Sequence, residues 1–239
     1  MKMQILTLLF ICVIPRISFA DDFEIKRDED FNNAVLKTQV VCRYTNHPDQ
    51  ANHFNSFFVG HIKTKNGFKE KLISVGHGFK CGHFSGETGR IIAVSILLND
   101  KIFDGGSVLK AEDINGPTDS LDIGLFEINL PFTLEHKHLR IGRREWVSVG
   151  SRVVVRGFMY PSSSLWDVTR YKVGYVEYVG DSMIRISTSA YPGMSGSPVA
   201  LKYKGRWYVI GVVSQLRFSE HYGLLDMLWA SLIPKDFIK

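Results

Sequence analysis

VALKYKGRWYVIGVV, residues 199–213, contains two apolar stretches on either side of a short turn. Residues 199–203 and 207–213 are rich in valine, isoleucine and aromatic side chains, a composition that is typical of β-strands. The three residues between them, Lys204-Gly205-Arg206, have the chemistry of a turn, because glycine accepts backbone conformations that other residues avoid. The stretch therefore predicts two strands with a tight connection.

The same alternation of short apolar segments and turns recurs along the chain. Long helical periodicity is absent except near the C-terminus, where residues 223–239 predict a short helix interrupted at Pro234. Many short strands at close spacing predict an all-β barrel or sandwich rather than an alternating α/β sheet. The other predicted strands are residues 34–42, 55–62, 71–75, 90–98, 123–128, 152–156, 171–179 and 183–187.

The N-terminus has the layout of a secretory signal peptide. Lys2 precedes an apolar run at residues 5–14, and Ser18-Phe19-Ala20 follows before the first acidic residues. The apolar run is about half the roughly 20 residues that span a bilayer, so we expect no stable membrane anchor. Cleavage near Ala20, giving residues 1–20 as the signal peptide, predicts a secreted or periplasmic protein.

The composition of the full chain is that of an ordinary globular protein. The chain is 45% hydrophobic and 22% charged, which argues against overall disorder. Its formal net charge of +5 falls to +3 when Lys2 and Arg16 leave with the signal peptide. Such a small excess says little about partners. Because the basic residues are scattered rather than clustered, we expect no nucleic-acid partner.

The stretch at residues 135–145 is charged and less strand-like than its surroundings. We interpret its basic residues, Arg140, Arg143 and Arg144, as a solvated linker rather than a nucleic-acid patch. The prediction is a β-domain over residues 21–140 and a second over residues 141–239. Cys42 and Cys81 are the only intramolecular pair left after Cys12 is removed, and the sequence leaves open whether they are bridged.

Residues 191–198, YPGMSGSP, place Ser195 next to glycine. Alone this pattern is typical of a turn. A serine nucleophile also needs a base, a group that orients the base, and backbone donors for the oxyanion. Gly193 lacks a Cβ, so its backbone can direct the Gly193 and Ser195 amides to one point, where each donor stabilises the transition state by about 3 to 4 kcal/mol.

Among the eight histidines, His77 is the best candidate for the base. It ends an apolar strand, and Gly76 and Gly78 on either side leave its imidazole free to face a cleft. Asp122 opens an otherwise apolar strand, where a hydrogen bond to an imidazole would offset the cost of burying its charge. Asp119 is its nearest rival but lies in a turn-like setting. Polar surroundings predict surface positions for His47, His53, His136 and His138.

Three segments together carry a family resemblance. SVGH at residues 74–77, DIGL at residues 122–125 and GMSGSP at residues 193–198 resemble the catalytic motifs of trypsin-like, chymotrypsin-fold serine peptidases in order and spacing. Residues 149–155 and 192–196 are similar to segments of HtrA-type peptidases, in the compact bacterial and viral branch. The resemblance runs from about residue 34 to residue 213.

The resemblance implies two six-stranded antiparallel β-barrels with the active site between them. It assigns His77 as general base and then acid, Asp122 as its orienter, Ser195 as nucleophile, and the Gly193 and Ser195 amides as the oxyanion hole. It implies a protein or peptide substrate, and neither cofactor nor metal. The oligomeric state stays open.

Two departures from the family pattern matter. Met194 stands where the zymogen-activated digestive enzymes carry an aspartate that binds a new N-terminus, so we expect a fold competent without propeptide cleavage. Gly78 stands where animal members carry a cysteine, which puts their common disulfide in doubt and leaves Cys81 as a substitute.

The resemblance also predicts a substrate pocket. Residues 213–216 correspond to the strand edge that pairs with substrate, so Ser214, Gln215 and Leu216 would form one wall, and Ser189 would lie at the floor. The absence of an acid at Ser189 argues against a preference for lysine or arginine. Leu216 favours small or medium apolar side chains, although Arg217 could instead attract an acid.

Other functions fit the sequence less well. An α/β-hydrolase requires Gly-x-Ser-x-Gly, whereas residue 197 is serine. A zinc site at His77, Cys81 and His83 lacks an evident fourth ligand. The alternatives kept are a catalytically silent trypsin-like scaffold that acts as a binding protein, and a viral or phage processing peptidase.

Overall fold

The computed structural model describes residues 34–84, 87–98, 101–112, 121–134, 138–158, 169–188, 193–217 and 227–238. The predicted signal peptide lies outside these residues. Across the described ranges, none of the helices has the length and apolar character needed to cross a membrane. The strands are β1 Val35–Arg43, β2 Gln50–Thr64, β3 Gly67–Ser74, β4 His83–Phe84, β5 Glu87–Thr88, β6 Arg90–Leu98, β7 Lys101–Phe103, β8 Ser107–Glu112, β9 Ile123–Leu130, β10 Arg152–Phe158, β11 Thr169–Val179, β12 Met183–Ser187, β13 Pro198–Tyr203, β14 Arg206–Arg217 and β15 Met227–Leu232.

The first half of the chain forms a seven-stranded antiparallel sheet in the order β7-β6-β1-β2-β3-β9-β8. Its strands alternate in burial, as in β1, where Val40 and Cys42 are buried and Val41 between them is half-buried. The large side chains of Phe57, Phe58 and Phe126 are fully buried and fill the core of this sheet.

The second half forms a closed barrel in the order β10-β11-β12-β15-β14-β13, closed by pairing of β10 with β13. The turn predicted at residues 204–206 joins β13 to β14, and Lys204 and Gly205 both have positive φ. Val153, Ile184 and Val199 lie in the barrel core.

The two cores meet along β10. Val153 and Val155 face the interior of the closed barrel, whereas Val154 between them packs into the core of the first sheet. Ala200 and Val212 also face the first core, and both are fully buried. The two sheets therefore share an apolar interface.

The predicted all-β fold with two antiparallel units is confirmed. The first sheet has seven strands rather than the six that the resemblance implied. The predicted C-terminal helix is wrong over residues 227–232, which form strand β15. These residues pair with β12 on one side and β14 on the other, and this pairing outweighs their local preference. The division between residues 140 and 141 stays a prediction.

A disulfide joins Cys42 near the end of β1 to Cys81. At the position after His77, where the animal peptidases that the motifs resemble carry a cysteine, the ring of Phe54 packs where a side chain on Gly78 would lie. Cys81 therefore provides the cross-link that Gly78 does not.

Candidate active site

His77 and Asp122 lie at the neighbouring ends of two paired strands. β3 ends at Ser74 opposite Gly124 of β9, and a 3-10 turn, His77–Phe79, follows β3. Gly76 is needed at the start of this turn because a Cβ there would overlap the carbonyl of Glu112. The topology thus brings the imidazole next to the carboxylate that precedes β9.

The carboxylate of Asp122 is fully buried and accepts three hydrogen bonds. Oδ2 lies 2.8 Å from Nδ1 of His77 and accepts a 2.6 Å bond from Oγ of Ser214. Oδ1 accepts a 2.7 Å bond from the backbone N–H of His77. The backbone N–H of Asp122 itself donates to Oγ of Ser231 at 2.9 Å. Three donors satisfy the buried charge and fix the imidazole, whose side chain remains 43% exposed.

The loop that carries Ser195 has the backbone conformation that its glycines permit. Gly193 has φ +91° and Gly196 has φ +82°, both in the region that favours glycine. A Cβ on Gly196 would overlap the carbonyl oxygen of Asn55, so the loop approaches β2 more closely than other residues allow. Ser195 is half-buried, and Met194 beside it is fully buried in the barrel core.

Asn55 on β2 holds this loop, a role that sequence reasoning missed. Its Nδ2 donates to the carbonyl of Gly193 at 2.6 Å, and its backbone N–H donates to the carbonyl of Ser195 at 2.8 Å. Its Oδ1 accepts from the backbone N–H of Phe158 at 2.9 Å. Asn55 is 1% exposed, so one side chain joins the first sheet to two segments of the barrel. An asparagine within an apolar strand was the only signal for it in the sequence.

His53 precedes Asn55 by two residues and differs from its prediction. Instead of lying on the surface it is half-buried, and its Nε2 lies 2.9 Å from Nε2 of Gln39. Burial lowers the pKa of His53, because an apolar environment disfavours the charged imidazole. A partner of the His53 ring is the neutral side chain of Gln39, whereas the imidazole of His77 contacts the carboxylate of Asp122.

Three of the four predicted pocket residues, Ser214, Gln215 and Leu216, lie on β14. Ser214 is buried and contacts Asp122 in addition to its predicted place in the pocket wall. The backbones of Gln215 and Leu216 belong to β14, opposite Trp229 and Leu228 of β15. Ser189 lies outside the described residues.

The predicted alternative of a zinc site at residues 77–83 is wrong, because Cys81 is in a disulfide and has no thiolate to offer. The Nδ1 atom of His77 is also engaged with Asp122.

No family model matches the sequence, and no curated protein sequence matches it. Solved structures do match. The HtrA-type protease AlgW with a tripeptide has a TM-score of 0.57 and 13% identity, over 86% of this chain and 59% of AlgW. The thermostable serine protease AL20 from an extremophilic microorganism has a TM-score of 0.59 and 12% identity, over 85% of this chain and 92% of AL20. This chain therefore spans about three fifths of the AlgW length, and it has the fold of trypsin-like, HtrA-type serine peptidases.

Proposed function

We propose that this protein is a secreted or periplasmic serine endopeptidase that hydrolyses peptide bonds through Ser195, His77 and Asp122. The observation that carries the proposal is the buried carboxylate of Asp122, whose Oδ2 lies 2.8 Å from Nδ1 of an exposed imidazole. A buried charge that orients one imidazole nitrogen leaves the other nitrogen available for proton transfer. The fold of the neighbouring solved structures is a further support.

In the first step, Oγ of Ser195 attacks the carbonyl carbon of the scissile peptide, and Nε2 of His77 accepts the hydroxyl proton. Asp122 accepts the Nδ1–H bond and stabilises the imidazolium. His77 then donates its proton to the leaving nitrogen, the C–N bond breaks, and an acyl-enzyme remains. Water then attacks the acyl carbon while His77 accepts its proton. The bond between that carbon and Oγ of Ser195 breaks, His77 returns the proton to Oγ, and the acid product leaves.

The oxyanion would be stabilised by the backbone N–H groups of Gly193 and Ser195. The positive φ of Gly193 fits this role. Asn55 supports the loop through hydrogen bonds to the carbonyls of Gly193 and Ser195, and these bonds do not engage the amide protons of either residue. Donors held in place before the reaction are worth more than donors that must reorganise.

β14 supplies an edge for the substrate backbone. Its pairing with β13 ends at Val212, while its pairing with β15 continues to Arg217. Residues 214–216 therefore have a side on which β13 does not pair, and an extended peptide can add there as a strand. We infer a preference for small or medium apolar side chains, because Leu216 would narrow the pocket and Ser189 offers no acid to bind lysine or arginine.

The enzyme would need no new N-terminus for activity. Met194 fills a fully buried site in the barrel core, so the position that an aspartate would occupy in zymogen-activated enzymes is already packed with an apolar side chain. An ammonium group there would have no carboxylate partner.

Substitution of the nucleophile tests the proposal. Ser195→Ala should abolish peptide hydrolysis and labelling by an organophosphonate probe while leaving the melting temperature within a few degrees. His77→Ala should slow hydrolysis by several powers of ten, because only the oxyanion donors and substrate binding remain. Cleavage of a peptide library gives the specificity in the same preparation.

Ser197→Ala provides a matched control in the same loop, because Ser197 is fully buried in the barrel. It should still be labelled by the probe. Equal labelling of Ser195→Ala and wild type would overturn the assignment of the nucleophile. A folded wild-type protein that neither reacts with the probe nor cleaves any library peptide would favour the silent binding scaffold.

A further inference from the structure

A second group of chemically active side chains lies on the first sheet. His61 on β2 and Glu70 on β3 are direct cross-strand partners, so their side chains emerge on the same face. His138 reaches them from the segment that connects the two sheets, where the backbone N–H of Leu139 donates to the carbonyl of Phe58 at 2.9 Å. Three separate parts of the chain therefore converge at this point.

Glu70 is the centre of the group. Its side chain is fully buried, although a carboxylate is among the groups that are most costly to bury. Oε2 lies 2.7 Å from Nε2 of His138, and Oε1 accepts the backbone N–H of Leu134 at 3.2 Å. His138, predicted to be a surface residue, has a side chain that is only 17% exposed.

The two imidazoles are held against each other. Their ring centroids are 5.0 Å apart with an interplanar angle of 33°. Phe68 packs edge-on against His61 with centroids 5.6 Å apart, and Phe58 packs against His138 at 6.4 Å.

The ligand atoms of His61, Glu70 and His138 all lie within 4.8 Å of one another. In a tetrahedral zinc site with bonds of about 2.0 to 2.1 Å, neighbouring ligand atoms are roughly 3.3 to 3.5 Å apart. Small side-chain rotations therefore bring the three atoms to a shared ion. The Leu134 N–H holds the carboxylate from behind, as outer contacts do for metal ligands.

We propose that His61, Glu70 and His138 bind a divalent transition-metal cation such as Zn²⁺, with water completing the coordination. Two imidazoles and one carboxylate are donors that suit Zn²⁺ and its close relatives rather than Mg²⁺ or Ca²⁺, which prefer all-oxygen sites. A bound ion neutralises the buried carboxylate and joins the connecting segment to β2 and β3. The site is distinct from the candidate catalytic group, because Glu70 lies four residues before Ser74, roughly 13 Å along β3.

Metal binding to the untagged, chelator-treated full chain tests the proposal. Zn²⁺ at about a hundred times its Kd should raise the melting temperature by roughly 5 to 10 °C. Co²⁺ should give the visible absorption of a tetrahedral or five-coordinate complex with one ion per chain. His61→Ala, Glu70→Gln and His138→Ala should each remove most of the thermal shift and the Co²⁺ spectrum.

His53→Ala is the matched control, because His53 also lies on β2 but is hydrogen-bonded to Gln39 instead. It should retain the full effect. The proposal is overturned if neither ion shifts the melting temperature of the wild type, if Mg²⁺ gives the same shift as Zn²⁺, or if the shift persists in His61→Ala. Should His138→Ala fail to fold, His61→Ala decides the outcome, because His61 lies on β2 and not on the segment that connects the two sheets. None of these measurements depends on peptidase activity.

Discussion

At the scale of single residues, the candidate site depends on polar side chains in places where apolar ones are the rule. Asp122, Asn55, Ser214 and Ser231 are all at most 2% exposed, and each has a hydrogen-bond partner in another segment. A buried polar group without a partner costs about 1 to 3 kcal/mol, so these partners fix the geometry of the site as well as its stability.

Removal of the Asn55 side chain should impair catalysis without touching the reacting atoms. Asn55→Ala deletes the hydrogen bonds to the carbonyl of Gly193 and to the backbone of Phe158, so the loop that carries Ser195 becomes less ordered. We expect kcat to fall about tenfold to a hundredfold, in line with the loss of one or two buried hydrogen bonds, while KM changes little. Steady-state kinetics on a peptide substrate measures this split.

Asn129→Ala is the control for Asn55→Ala, because Asn129 is an exposed asparagine on β9. It should leave kcat unchanged. A variant Asn55→Ala that melts at a lower temperature but keeps its full kcat would show that Asn55 stabilises the fold and does not position the loop.

At the scale of elements, the cross-link between β1 and the segment after the His77 turn is the main constraint that sequence left open. Cys42 and Cys81 enclose a loop of 39 residues that includes all of β2 and β3. Closing a loop of this length restricts the unfolded chain and stabilises the folded one by about 3 to 4 kcal/mol in the chain-entropy description.

Cys81→Ser should therefore lower the free energy of unfolding by about 2 to 4 kcal/mol. Cys81 is the better site for this test, because it is half-buried whereas Cys42 is 1% exposed and a hydroxyl there would add its own burial cost. Urea unfolding of the variant and of reduced wild type should give the same midpoint, below that of the unreduced wild type. If the midpoint of Cys81→Ser equalled that of the unreduced wild type, the bridge would not form in the purified protein.

At the scale of the whole molecule, the two sheets are joined by apolar packing and by polar contacts. Val154, Ala200 and Val212 of the barrel lie in the core of the first sheet, and Asn55 bonds across the same boundary. Unfolding of either half would expose the buried face of the other, so both should unfold in one transition.

The distribution of tryptophan makes this prediction measurable. All four tryptophans, Trp146, Trp166, Trp207 and Trp229, lie in the second half of the chain. Trp207 also packs against the core of the first sheet, so the fluorescence reports mainly on the second half. Far-UV circular dichroism reports on the strands of both halves. Thermal or urea transitions by the two methods should coincide. A second transition in circular dichroism, with no matching change in fluorescence, would show that the halves unfold independently.

The sequence by itself determined the all-β class, most strand positions and the three candidate catalytic residues. Strand composition and glycine-rich turns are local signals, and Ser195, His77 and Asp122 each stand out from their immediate neighbours. Even for these residues, only the pairing of β3 with β9 brought the imidazole of His77 to the buried carboxylate.

Tertiary structure alone decided the features that depend on distant partners. Residues 227–232 form a strand because β12 and β14 flank them, and Asn55 acts on a loop 138 residues away in the chain. His138 is half-buried because it packs against Glu70 and His61, although its neighbours in sequence are polar. The physical reason is that burial and hydrogen bonding are set by what surrounds a side chain in space, which local composition does not encode.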